Sequence, residues 1–168
     1  MGFIENAFNN NVLIKVIAVV AALVVLGGLA MVFGKRVSPV GWGWFGAFDA
    51  PNGVALAGFD PVSYHQGEPK RGSENHALGW GQASWHFVSE ETKALFEADP
   101  ERFVPRFGGF CAFAVSKGFT AAADPSAYAV HDGGLYVFNS DSIRDQWLEA
   151  VDDGVIDQAA RKWATRSP

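Results

Sequence analysis

The chain offers little side-chain chemistry: a single cysteine, Cys111, and, among four histidines, His65, His86 and His131 at turns or in a strand-like run. A lone thiolate joined by imidazoles is a soft donor set, suited to an ion such as Cu(I) or Zn(II), copper or zinc in either case. A Cys/His nucleophile pair is the second chemistry open to the same residues. Against both stands a plainer reading, in which Cys111, flanked by Phe110 and Phe113, is a small buried hydrophobe. His86 alternates with Trp85 and Phe87, so its side chain points away from theirs and is exposed if they face the core. His65 and His131 fall in loop-like stretches where surface histidines are common. One cysteine excludes an intramolecular disulfide framework and an all-cysteine zinc site. No phosphate-binding glycine loop, His-Glu-x-x-His, Gly-x-Ser-x-Gly or c-type haem signature is present, and the expectation is a protein that is not an enzyme.

The elements that would position these residues read as α+β, a small antiparallel sheet with short helices packed on it, preceded by one transmembrane helix. Leu78 to Val88 alternates around Gly79 and Gly81 and predicts a hairpin. Ser89 is an N-cap, with Glu90 and Glu91 in the first turn, for a helix that stops near Asp99. Asp60, Asp99 and Asp124 each precede a proline, and turn capping accounts for all three. Asp99-Pro100 and Asp124-Pro125 are each expected to open a short helical turn. Phe107 to Val115 couples two glycines to an apolar run, expected as a bend feeding a buried strand. Asp132-Gly133-Gly134 is a turn and Leu135 to Phe138 the strand leaving it. Ser140 or Asp141 caps a helix carrying Ile143, Trp147, Leu148 and Val151, and Val155 to Trp163 forms another. No internal repeat is evident.

With 168 residues, 49% of them apolar, the chain fits one domain and an appendage. The appendage is Val16 to Gly34, an uncharged run of which the helix would cross most of a ~30 Å hydrocarbon layer. Lys15 and Lys35-Arg36 mark its edges, and Trp42, Trp44, Phe45 and Phe48 suit the membrane interface. A cleaved signal would be shorter and followed at once by a small-x-small site, whereas Lys35-Arg36 follows instead and the only Ala-x-Ala nearby, Ala55-Leu56-Ala57, lies well downstream. The division expected is an N-terminal segment over 1–11, a transmembrane helix over 12–36, a juxtamembrane aromatic linker over 37–52 and a globular domain over 53–168. Segment 1–11 is either a short amphipathic stretch on the membrane surface or disordered. Ala18 with Ala22, and Ala30 with Gly34, have the small-xxx-small spacing that lets helices approach closely. These four, with Trp42 and Trp44, are the candidate contacts to membrane and partner subunits. Flanking positive charges balance across the span and leave orientation open. The formal net charge is -5, and from Asp49 onward 10 Lys/Arg face 17 Asp/Glu, so nucleic acid is excluded as a partner.

Five ordered motifs then carry a resemblance: Gly58-Phe59-Asp60-Pro61-Val62-Ser63-Tyr64, Gly67-x-Pro69-x-x-Gly72-Ser73, Trp85-His86-Phe87-x-Ser89, Phe96-x-x-Asp99-Pro100-x-x-Phe103 and Gly108-Gly109-Phe110-Cys111-Ala112. Together they resemble the YHS-domain family in its longer, stand-alone bacterial form, over residues 53–163. The resemblance implies a metal-binding or metal-handling module, with Cys111, His86 and His65 as candidate ligands. It also implies an exported domain, hence an inner-membrane protein whose soluble part is periplasmic. The chain departs from the short metal-binding members, since Ser63, Val88-Ser89 and Thr92 stand where their cysteines would be. The alternative is an accessory structural subunit that docks through its transmembrane helix onto a larger respiratory or photosynthetic complex.

Overall fold

The computed structural model describes the backbone of residues 2–166 and the side chains of 12–166. The chain divides into two compact units, one ending at Arg36 and the other beginning at Val37. The first is one helix, α1 (Gly2–Lys35), so the segment expected to stand apart over 1–11 continues the helix from Gly2. Within α1, Val12–Lys35 is long and apolar enough to cross a membrane.

The second unit is α+β. It contains β1 (Ser38–Pro39), α2 (Pro61–His65), β2 (Ser73–Trp80), β3 (Ala83–Phe87), α3 (Glu90–Ala98), α4 (Pro100–Phe103), α5 (Ala112–Ser116), β4 (Phe119–Thr120), β5 (Asp124–His131), β6 (Gly134–Phe138), α6 (Asp141–Glu149) and α7 (Val155–Trp163). The strands form three separate antiparallel pairs, β1 with β4, β2 with β3 and β5 with β6. The stretch expected as a linker, Val37–Asn52, is built into this unit: Ser38 pairs with Thr120, Val40 is 2% exposed, and Phe48 packs edge-on against Trp85 at 5.2 Å.

The second unit is an internal structural repeat, contrary to the sequence reading. Asp124 follows Ser73 by 51 positions, and that offset relates the two hairpins throughout. Ser73 pairs with Phe87 as Asp124 does with Phe138, and Trp80 pairs with Ala83 as His131 does with Gly134. Both ladders are irregular at matching places, between Ser73 and Ala77 and between Asp124 and Tyr128. The turns match as well, with positive φ at Gly81 and Gln82 (58° and 68°) and at Asp132 and Gly133 (47° and 72°), as two-residue hairpin turns of the primed type require. Each hairpin feeds a helix capped by a serine: Ser89 Oγ accepts from Thr92 N and Ser140 Oγ from Ile143 N. Ahead of each hairpin lies a left-handed turn, Leu56-Ala57-Gly58 (49°, 48°, 83°) and Phe107-Gly108-Gly109 (55°, 62°, 78°), followed by α2 or α5. Left-handed Leu56 and Phe107 each carry a strain of about 1 kcal/mol or more, offset by burial of both side chains.

Each copy has its own core, and β6 lies between the two. Tyr136 and Phe138 join Phe110, Ala112, Val115 and Trp147 on one side, while Leu135 and Val137 join Trp85, Phe87, Phe96 and Val62 on the other. A strand covered on both faces should be continuously apolar, as Gly134 to Phe138 is. The equivalent strand β3 has Ser84 and His86 where β6 has Leu135 and Val137. Tyr64 Oη donates to the Pro125 carbonyl at 2.8 Å, tying the first copy to the second.

Two expectations are overturned here. Asp124-Pro125 opens no helical turn but begins β5, where Asp124 Oδ1 accepts from Ser126 N at the irregularity of the ladder. The apolar run after Gly109 forms helix α5, not a strand, because Cys111 to Val115 is the second copy of the segment that makes α2.

Candidate functional site

The repeat fixes what surrounds each candidate ligand. Cys111 occupies the position of Asp60, just before α5 as Asp60 is just before α2, and the shared backbone role is visible in hydrogen bonds from Cys111 N to Ala121 O at 2.9 Å and from Asp60 N to Lys70 O at 2.8 Å. The Cys111 side chain is 1% exposed among Phe110, Ala112 and Val115. Asp60 is buried as well, and its carboxylate is engaged by backbone: Oδ1 accepts from Val62 N and Oδ2 from Val88 N.

His86 lies on the face of β3 opposite Trp85 and Phe87, as alternation requires, yet it is buried at 9% rather than exposed. Its face is closed by the bend before α2: a methyl group on Gly58 would sit 3.3 Å from His86 Nδ1 and 3.8 Å from Arg71 Nη1. Gly72 is closer still, since a Cβ there would lie 2.4 Å from the His86 carbonyl carbon, so only glycine fits. His65, at the end of α2, sets its ring edge-on to Phe103 at 5.4 Å. Its Nε2 is buried without a hydrogen-bond partner. His131 Nε2 lies 3.4 Å from Asp132 Oδ2 and its ring meets Trp147 at 6.2 Å, while His76 pairs with Glu90 at 2.9 Å.

Cys111, His86 and His65 are not gathered into one site: among the described residues no group of three or more His, Cys, Asp or Glu side chains is placed to hold a metal ion. Of the expected membrane and partner contacts, Ala18, Ala22, Ala30 and Gly34 all lie exposed on α1. Trp42 and Trp44 are each 56% exposed in the second unit, with ring centroids 4.5 Å apart.

Burial, reinforced by Arg102, lowers the pKa of His65 below its ordinary 6.5. As pH falls through 6.5 the unfolded chain takes up a proton that the folded chain refuses, so stability declines until His65 protonates in the fold as well. His65→Phe keeps an aromatic ring against Phe103 and removes the titration. The free energy of unfolding, measured from pH 7.5 down to pH 5, should therefore fall more steeply for the wild type than for the variant. Parallel profiles would place the sensitivity elsewhere.

No family model, curated protein or solved structure matches the chain. What the geometry defines is an α+β domain of two structural repeats that follows, in the chain, a helix able to cross a membrane.

Proposed function

We propose that the protein is a single-pass membrane protein and a non-catalytic accessory subunit, held in a larger membrane complex through α1. The observation that carries this reading is Val12–Lys35, a helical span long and apolar enough to cross a membrane, with most of its apolar side chains exposed. A lone helix of this kind gains its partners by close packing, and the small residues Ala18, Ala22, Ala30 and Gly34 offer the surface for it. The exposed Trp42 and Trp44, close behind Lys35 in the chain, suit the headgroup region, where amphipathic rings are favoured. Following the YHS resemblance, the domain lies on the periplasmic side of the inner membrane. Metal handling, the other function that resemblance implies, would need Cys111 to find partners outside its apolar surroundings.

The test is purification of the complex in mild detergent, with subunit composition and elemental analysis read side by side for the wild type and for Cys111→Ala. Stable co-purifying membrane subunits that are lost when Ala18, Ala22, Ala30 and Gly34 are replaced by leucine, with no copper or zinc, are the expected result. Near-stoichiometric metal that disappears with Cys111 would replace this reading with metal handling. Purification as a lone monomer would end the accessory reading.

A further inference from the structure

The second unit contains an open cleft of about 950 Å³, where the Gly43–Phe48 segment, the left-handed turn at Phe107 and α7 meet. Its walls are mainly apolar and include four aromatic rings, Phe48, Phe107, Tyr136 and Trp163, together with two cations, Arg106 and Arg166. No acidic side chain is among the residues that line it. That is notable in a region where carboxylates outnumber cations, and it leaves the two guanidinium groups uncompensated.

Arg166 is the stronger observation. Its guanidinium stacks on Trp163 at 4.4 Å and on Phe110 at 5.3 Å, and Nη1 is buried without a hydrogen-bond partner. Arg166 is half-buried as a residue, but at Nη1 a shielded cationic donor has nothing to donate to, and an anion bound there would satisfy it. Burial lowers the pKa of Arg166, in the direction expected of a cation lacking a counter-charge. Arg106 is exposed and makes no ion pair among the described residues. Its side chain lies across Gly134, where an added Cβ would come within 2.9 Å of Nε.

We propose that this cleft binds an amphipathic organic anion, its apolar body against the aromatic walls and its carboxylate or phosphate head between Arg106 and Arg166. The volume falls in the range of small-molecule sites, roughly 300–1,000 Å³. The division of labour is the usual one, with apolar area giving affinity and a few charged donors fixing orientation. The same head-and-body chemistry belongs to a free aromatic acid and to an anionic lipid, and the experiment separates them.

Full-length protein is placed in nanodiscs of phosphatidylcholine and titrated with 2-naphthoate by calorimetry, and with 2-naphthamide as the uncharged counterpart. Saturable 1:1 binding of 2-naphthoate with a Kd of about 1 mM or tighter is expected for a ligand of this size. The amide, and the variants Arg166→Met and Arg106→Gln, should each bind about tenfold to a hundredfold more weakly, the loss of a charge-assisted hydrogen bond. Arg106 is exposed, so its variant reports on binding even if Arg166→Met fails to fold. Repeating the titration in nanodiscs containing phosphatidylglycerol assigns the source: competition identifies a lipid headgroup, and unchanged affinity identifies a free acid. Equal binding of acid and amide, or unaltered affinity in Arg106→Gln together with a folded Arg166→Met, overturns the proposal.

Discussion

Trp147→Ala is expected to lower the stability of the domain by about 3–5 kcal/mol, and Phe96→Ala by a similar amount, as full truncation of a buried aromatic does. Both rings are completely buried. Each belongs to the helix that follows a hairpin and is dropped onto that hairpin: Trp147 meets Tyr136 at 4.7 Å and Phe138 at 5.2 Å, and Phe96 meets Trp85 at 5.3 Å and Phe87 at 5.2 Å. They are equivalent residues of the two copies. With a total stability of roughly 5–15 kcal/mol, either truncation removes a large part of what holds the fold. Trp147→Phe should behave differently. The indole Nε1 is buried without a hydrogen-bond partner, so removing it relieves an unsatisfied donor while the smaller ring gives up some packing. The two effects oppose, and a change within about 1 kcal/mol is expected. The first copy already uses phenylalanine at this place. Denaturant unfolding followed by near-ultraviolet circular dichroism checks the series. An alanine variant losing less than about 1 kcal/mol would mean that packing of this ring on its hairpin contributes little to the fold.

The elements that could be read from the sequence are those whose signals are local. Ser89 caps α3 as its position predicts, Ser140 rather than the alternative Asp141 caps α6, and α7 runs over Val155–Trp163 as its apolar spacing requires. The first hairpin follows from alternation and turn residues, and so do the turn and last strand of the second, but its first strand, β5, does not. The repeat could not be read the same way, because between Leu56–Ala98 and Phe107–Glu149 only Gly58 and Gly109, Phe59 and Phe110, Gly67 and Gly118, Phe87 and Phe138, and Ser89 and Ser140 are identical. What the copies share is backbone geometry and the volume of buried rings, and Trp85 opposite Tyr136 or Phe96 opposite Trp147 preserves volume without preserving letters. The same offset explains the error at α5: Phe110 to Val115 looks like a strand by alternation, but it occupies the place where the first copy has a capped helix.

The site residues were legible as chemistry and not as geometry. Alternation puts His86 on the face of β3 opposite Trp85 and Phe87, but nothing in Trp85-His86-Phe87 reveals that the turn at Gly58 closes over that face. Val37–Asn52 reads as a linker from its prolines and glycines, yet Val40 and Phe48 fill positions in the fold that only long-range contacts define. Arg106 and Arg166 carried no local signal at all. They meet in one cleft because α7 returns to the left-handed turn before α5, and the cue is an absence of acidic neighbours in three dimensions.

Asp60→Ala should also be severe, at about 2–4 kcal/mol, although no core volume of consequence is lost. The carboxylate is fully buried and both oxygens are used, Oδ1 by Val62 N at 2.8 Å and Oδ2 by Val88 N at 2.9 Å. One bond caps α2 and the other ties it to the end of β3. The Asp60 carbonyl further accepts from Ser63 Oγ at 2.6 Å, and Ser63 Oγ accepts from Lys70 N, so a single residue organises the bend that closes over His86. Removing the side chain strands two backbone N–H groups, each costing about 1–3 kcal/mol, while relief from burying a charge returns part of that. Asp60→Asn separates the contributions. It keeps the shape and one acceptor oxygen but turns an NH2 group toward a backbone donor, so its loss should fall between wild type and alanine. The second copy supplies the comparison: Cys111, at the equivalent place, has no carboxylate and the segment folds alike, so Cys111→Ala should disturb the fold much less than Asp60→Ala. Equal losses at the two positions would mean that burial, not hydrogen bonding, is what Asp60 contributes.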